Sequence, residues 1–242
     1  MTADELSRRI AANLAEVKQQ IADSAQGRAI RLVCVTKYAS DLQVDGLLSA
    51  GATELGESHL PQATERFARL RAAGHVFTAH LLGAQQSRKV KAIPDSCDLF
   101  QALDRPKTAE LLNSELASRH TRLPLLLEVN VDSEPQKQGY LPETLEQSVS
   151  ELLTNSPQLE LQGLMAIPQA RQMGQSASQW ERQTRASFGQ MRRMFDRIYE
   201  RFPEMTAWST LSMGMSQDFN WAIAEGSTMV RVGSALFRGL EG

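Results

Sequence analysis

The sequence predicts an α/β chain closed into a single (β/α)8 barrel domain over residues 1–242, with one helix leading into it. Three observations predict this. Short apolar runs alternate with helical patterns eight times along the chain, and regular βα alternation of that count builds a parallel sheet closed on itself. Several runs, among them RLVCV and LPLLLEVNV, are apolar at nearly every position, as strands are when helices cover both faces. The first strand leads into VTKYAS, which contains no glycine. The alternative, an open doubly wound sheet, places a glycine-rich dinucleotide turn there.

Taken in order, residues 2–25 form an amphipathic helix, because Leu6, Ile10, Leu14, Val17 and Ile21 recur at three- and four-residue steps. Strands are expected at 31–36, 52–55, 76–82, 98–101, 124–130, 159–164, 206–210 and 228–232. Helices are expected between them at 41–50, 58–73, 86–92, 105–118, 142–154, 178–201 and 216–225, with a last short one from about 234. The polar connection PQARQMGQSASQ, residues 168–179, is read as a surface loop.

Composition narrows the function. Apolar residues make up 42% and charged residues 22% of the chain, the balance of a globular protein with a sizeable core. A net charge of −2 leaves no basic footprint for nucleic acid or an anionic membrane. No run reaches the ~18 apolar residues of a membrane span, and the polar N-terminus has no signal-peptide pattern. Cys34 and Cys97 are too few for a disulfide framework, and the four histidines have no ligand spacing for a metal. The expectation is a soluble cytoplasmic protein with reduced thiols and no metal.

In a barrel, chemistry sits at the C-terminal ends of the strands. Lys37 lies just past the first strand and shares a face with Val33 and Val35. Facing inward, it is partly desolvated, and desolvation favours the neutral amine that forms a Schiff base. A lysine reaching out to solvent from a strand end is the other reading of the same residue. SMGMS (212–216) and VRVGSALF (230–237) leave the last two strands, and Ser216 and Asp218 are suited to cap the helix between them. Glycine, hydroxyls and free amides at such turns make an anion site, and barrels often place phosphate there. Arg231 interrupts the apolar strand MVRVG, so it has either a structural carboxylate partner or a ligand acceptor. His80 falls within the third strand and reads as a core histidine, while Met165 and Met213 read as packing residues lining a pocket. Arg88, Lys89 and Lys91 form a solvated helical face.

Together these features resemble the YggS-type pyridoxal phosphate homeostasis proteins, fold-type III barrels related to the N-terminal domain of alanine racemase. LSMGMSQDFNWAIAEGSTMVRVG, residues 211–233, carries the resemblance most closely. VCVTK, GE at 56–57, His80 with Gly83, QQSRKVK, VNVDSEPQKQG and GLMAI continue it in order. The resemblance implies that Lys37 holds pyridoxal 5′-phosphate (PLP) as an internal aldimine. It places Ser212, Gly233 and Ser234 near the phosphate, Met213 alongside the cofactor and Arg231 at the pyridine nitrogen. Ser58, His80 and Met165 complete the implied cofactor-binding set. An arginine at the ring nitrogen does not readily give up its proton, which weakens the electron sink of the cofactor.

The resemblance thus implies a vitamin B6 homeostasis protein without robust catalysis. Its partners would be PLP, small amino or keto acids, and PLP-dependent apoenzymes. Alanine racemases add a β-rich domain with a second catalytic tyrosine, and Tyr38, Tyr140 and Tyr199 lie in no matching segment. A racemase or lyase remains the competing enzyme, and a Schiff-base aldolase acting on a sugar phosphate is a third reading. The chain departs from the family pattern at Tyr38–Ala39–Ser40, at Ser58 where asparagine is usual, and at Gln85 and Arg88.

Overall fold

The computed structural model describes residues 2–240. Its centre is a closed, all-parallel barrel in the order β1 to β8, with β8 pairing back onto β1. The strands are β1 (Arg31–Val35), β2 (Glu54–Glu57), β3 (Thr78–Leu81), β4 (Leu99–Leu103), β5 (Leu123–Val129), β6 (Leu159–Ala166), β7 (Thr210–Ser212) and β8 (Met229–Val232). The helices are α1 (Ala3–Ala25), α2 (Asp41–Ser49), α3 (Leu60–Ala72), α4 (Pro106–Ser118), α5 (Leu145–Asn155), α6 (Ala177–Arg201) and α7 (Phe219–Ala224). Two 3₁₀ segments, Ser87–Asp95 and Ser234–Phe237, replace helices after β3 and β8. The predicted fold class is the one observed.

Local chemistry starts the helices where the chain needs them. Thr2 with Glu5, Ser40 with Gln43 and Ser176 with Gln179 each form a capping box, so two of the otherwise orphaned amides are satisfied reciprocally. The predicted apolar face of α1 is the buried one, from Leu6 through Ile21.

Several boundaries differ from expectation, and four of the differences have a physical reason on view. The helix expected at 86–92 is a 3₁₀ segment containing Pro94. Its buried Val90 and Ile93 are three residues apart, the period of that tighter helix. The second strand runs over 54–57 rather than 52–55, because Glu57 is buried against a cation from α3. The seventh strand starts at Thr210 rather than 206, because Trp208 turns inward and donates its indole N–H to the Phe195 carbonyl at 3.2 Å. The helix expected at 216–225 is α7, which begins after Asp218, whose carboxylate accepts the Met215 N–H at 2.6 Å.

The register aligns the polar interruptions of the strands. Val33 pairs with Arg231, Gly56 with His80, Glu128 with Met165, and Met165 with Ser212. Among the described residues no helix is long and apolar enough to cross a membrane.

Candidate functional site at the C-terminal mouth of the barrel

Parallel strands deliver their C-terminal ends to one mouth. Lys37 leaves β1 there, half-buried, with its ammonium 5.0 Å from the centroid of the exposed Tyr38 ring. Among the described residues no carboxylate pairs with that ammonium. The loop that carries it is clamped from α3. Arg66 donates to the Thr36 carbonyl (2.7 Å) and the Ala39 carbonyl (2.8 Å), one on each side of Lys37. Gln62 donates to the carbonyl of Lys37 itself at 3.1 Å. The clamp is held by Glu57, wholly buried, which accepts from Arg66 and from the Thr36 hydroxyl, each at 2.7 Å. One oxygen of Glu57 has no partner.

Beside this loop, on the strands that close the barrel onto β1, β7 and β8 present the two predicted turns. Gly214 adopts φ +97°, and a Cβ on it would lie 2.6 Å from Ala222 Cβ and 2.9 Å from Phe219 Cα, so only glycine fits. Ser216 ties the turns together: its hydroxyl accepts the Gly233 N–H at 3.2 Å and lies 3.5 Å from the Ala235 nitrogen. Among the described residues the Gly214, Ser216 and Ser234 amides find no protein acceptor. Amides converging from a tight turn and a short helix start form a cradle for an anion.

Arg231 is buried, and its guanidinium donates to the Ser212 hydroxyl (2.6 Å) and the Ala166 carbonyl (2.9 Å). Burial pushes its pKa down to about 10, with Asp218 and Glu128 opposing, so it stays a cation at neutral pH. Among the described residues no carboxylate bonds to it directly; its partners are neutral oxygens. Glu128, on β5, has one buried oxygen without a partner. Burial first, then Asp104, raises its carboxyl to about 7, against Arg231 and Lys137.

The other predicted residues take various places around the mouth and below it. Met165 and Met213 are buried beside Ser212. Ser58 is half-buried after β2, and its carbonyl accepts from Gln85 at 3.1 Å. That carbonyl would meet a Cβ on Gly83 at 2.4 Å, which accounts for the glycine. Gln85 also donates to the Gly83 carbonyl at 2.6 Å, so this departure from the family pattern braces the turn that carries Ser58. Arg88 is exposed, and its side chain donates to Gln86 at 3.1 Å. His80 lies below the mouth, sealed in the interior between Glu54 and Gln101. The Ser212 hydroxyl points to Gln101 and Arg231, and the hydroxyl that meets the Gly233 turn belongs to Ser216.

Arg66, Glu57 and Gln101 are absent from the binding residues expected on sequence grounds. Glu57 and Gln101 do carry a signal, since each interrupts a strand buried on both faces. A cavity of about 450 Å³ lies at the other end of the barrel, between α1 and the start of β1 and β2, and contains none of the mouth residues.

The chemistry of the donor set fits PLP. An amine without a carboxylate partner suits an aldehyde, a cradle of unpaired amides suits a phosphate, and a cation held by neutral oxygens suits a ring nitrogen. The comparisons point the same way. The alanine racemase N-terminal domain model matches residues 7–241. A pyridoxal phosphate homeostasis protein of Pseudomonas aeruginosa is 34% identical over 236 residues, covering 94% of each chain. Its counterpart in Escherichia coli is 31% identical over 234 residues, covering 94% of this chain and 95% of that protein. PipY of Synechococcus elongatus, solved with PLP bound, superposes with a TM-score of 0.79 at 29% identity, covering 94% of this chain and 99% of that one. The same protein without PLP gives a TM-score of 0.81. D-threonine aldolase of Filomicrobium marinum, 13% identical with a TM-score of 0.69, shares the fold alone. The chain belongs to the alanine racemase N-terminal domain family.

Proposed function

We propose that this protein binds PLP through the amine of Lys37 and acts in vitamin B6 homeostasis, without robust catalysis of its own. The observation that carries the reading is the convergence, at one mouth, of Lys37, Arg231 and the unpaired amides of the Gly214 and Ser234 turns. When bound, PLP supplies an aldehyde that captures amines and a ring that can draw electrons from them. The chain's own residues divide the work of holding it. The Lys37 amine holds the aldehyde, the Gly214–Ser216 and Gly233–Ser234 turns hold the phosphate, and Met165 and Met213 form the apolar wall beside the ring. Arg231 keeps its proton at neutral pH and offers a hydrogen bond without transferring it, so the ring gains little electron-withdrawing power.

Small amino or keto acids are the ligands an exposed amine-reactive centre would meet, and PLP-dependent apoenzymes are the recipients a carrier would serve. A cytoplasmic monomer is the form proposed, and the two buried free cysteines accord with a reducing compartment. A racemase or lyase is the competing reading. The purified protein incubated with PLP is expected to develop a visible absorption band that borohydride removes, leaving a label on Lys37. Lys37→Ala is expected to lose that label. A colourless wild type overturns the proposal, and a labelled Lys37→Ala variant overturns the site. Fast exchange of the α-proton of an added amino acid in deuterium oxide would favour the enzyme.

A further inference from the structure

An unbroken run of polar side chains crosses the barrel interior from its base to Arg231. At the base, Arg31 makes a two-point bond to Glu54, with Nε 3.0 Å from Oε1 and Nη2 2.8 Å from Oε2. Oε2 of Glu54 lies 2.9 Å from His80 Nε2, and His80 Nδ1 lies 2.9 Å from the Gln101 side-chain nitrogen. The Gln101 oxygen accepts the Ser212 hydroxyl proton at 2.7 Å, and Ser212 Oγ accepts from Arg231 at 2.6 Å. His80, Gln101 and Ser212 are wholly buried.

The run has a fixed polarity. An amide nitrogen only donates, so His80 Nδ1 must accept, and the imidazole proton sits on Nε2, where it is donated to Glu54. Burial pushes the His80 pKa down, against the bond it donates to Glu54. Burial also pushes the Glu54 carboxyl up, but the bonds from His80 and Arg31 outweigh it and hold it below its ordinary range. The pair is therefore a neutral imidazole beside an ionised carboxylate. The Ser212 proton is then committed to Gln101, and the lone pairs of Oγ are left for Arg231.

Barrel interiors are ordinarily filled by layers of branched apolar side chains, and an apolar layer is often at least as stable as buried polar pairs. Stability therefore does not account for this run. We infer that Gln101 and His80 are positioning residues that hold Ser212 as an acceptor and so fix the guanidinium of Arg231 against the cofactor ring. The inference rests on the proposed PLP site, but the run can be probed with and without cofactor.

Gln101→Met keeps the length of the side chain and removes its bonds to His80 and Ser212, along with the one it donates to the Met229 sulfur; Gln101→Leu is the second variant should Met fail to fold. Gln101→Glu keeps an acceptor for Ser212. Leu112→Ala, a wholly buried change on α4 away from the run, controls for lost stability. In the cofactor-free protein, nitrogen NMR of the Arg231 guanidinium is expected to show faster proton exchange in Gln101→Met and a wild-type signal in Leu112→Ala. With PLP, Gln101→Met is expected to bind about tenfold more weakly, the effect of loosening one charge-assisted bond, and to move the visible maximum. Gln101→Glu keeps the acceptor for Ser212 but cannot donate to His80, so it is expected to restore the readouts only in part. Unchanged Arg231 signals in Gln101→Met, or equal changes in Leu112→Ala, overturn the inference. A wild type that takes up no PLP, with the Arg231 signals still moving as expected, overturns the cofactor assignment and leaves the positioning run standing.

Discussion

A carboxyl group with one oxygen sealed from both water and partners has a strong preference for its proton. Glu128 is that group here: burial and the nearby Asp104 raise it to about 7, and Arg231 and Lys137 only partly compensate. In the unfolded chain it ionises near 4.5. The folded protein therefore holds an extra proton between those values. The stability this gives is complete below about pH 4.5 and is lost as pH rises through about 7. Glu128→Gln has no charge to bury. In the cofactor-free protein it is expected to match wild type at pH 5 and to exceed it at pH 8 by on the order of 2 kcal/mol. Urea denaturation across that range measures the difference, and parallel stability curves for the two proteins would refute the assignment of the penalty to Glu128. The same residue bears on function, because an ionised Glu128 adds a negative charge near Arg231.

At the scale of the element, α3 is the support of the Lys37 loop. Arg66→Ala removes the cation from a wholly buried Glu57 and frees the carbonyls on either side of Lys37. Breaking a buried pair by removing one partner costs about 3–5 kcal/mol, and that loss is expected in denaturant unfolding. The double variant Arg66→Met with Glu57→Leu replaces the pair by apolar volume and is expected to recover most of the stability. PLP affinity should stay low in both, since neither holds the Thr36 and Ala39 carbonyls; full affinity in the double variant would show that the clamp serves stability alone. This element also marks the limit of sequence reading. Lys37 is legible because an apolar run ends in it, and the Gly214 and Gly233 turns are legible because glycine and serine cluster at strand ends. Arg66 is one of several arginines on an amphipathic helix, and nothing local separates it from those that face water. Gln101 is different. It sits in LFQAL, a strand buried at every position, and Glu54, His80, Ser212 and Arg231 interrupt their strands in the same way. Each alone reads as a stray polar residue, and only closure of the barrel brings them into one line.

At the scale of the whole molecule, closure depends on joining the first and last parts of the chain. β8 pairs with β1, and α1 lies against α2, α7 and the Ser234–Phe237 segment. Asn13, buried on α1, donates to the carbonyls of Leu236 at 3.0 Å and Arg238 at 3.1 Å. The leading helix thus holds the segment that continues from the Gly233 turn, although it contributes no residue to the mouth. Asn13→Leu keeps the volume near that of asparagine and leaves both carbonyls without their donor, a cost of about 1–3 kcal/mol for a buried unsatisfied group. The expected consequence is local as well as global. The amides from Gly233 to Leu236 should exchange faster with deuterium, and PLP should bind more weakly, because the proposed phosphate cradle is built on that segment. Lys18→Ala separates this effect from general disturbance of α1: Lys18 is exposed and donates to the Gly51 carbonyl, away from the last turn. It is expected to leave both readouts at their wild-type values. If Asn13→Leu lowers stability while exchange at 233–236 and PLP affinity are unchanged, α1 closes the fold without supporting the site.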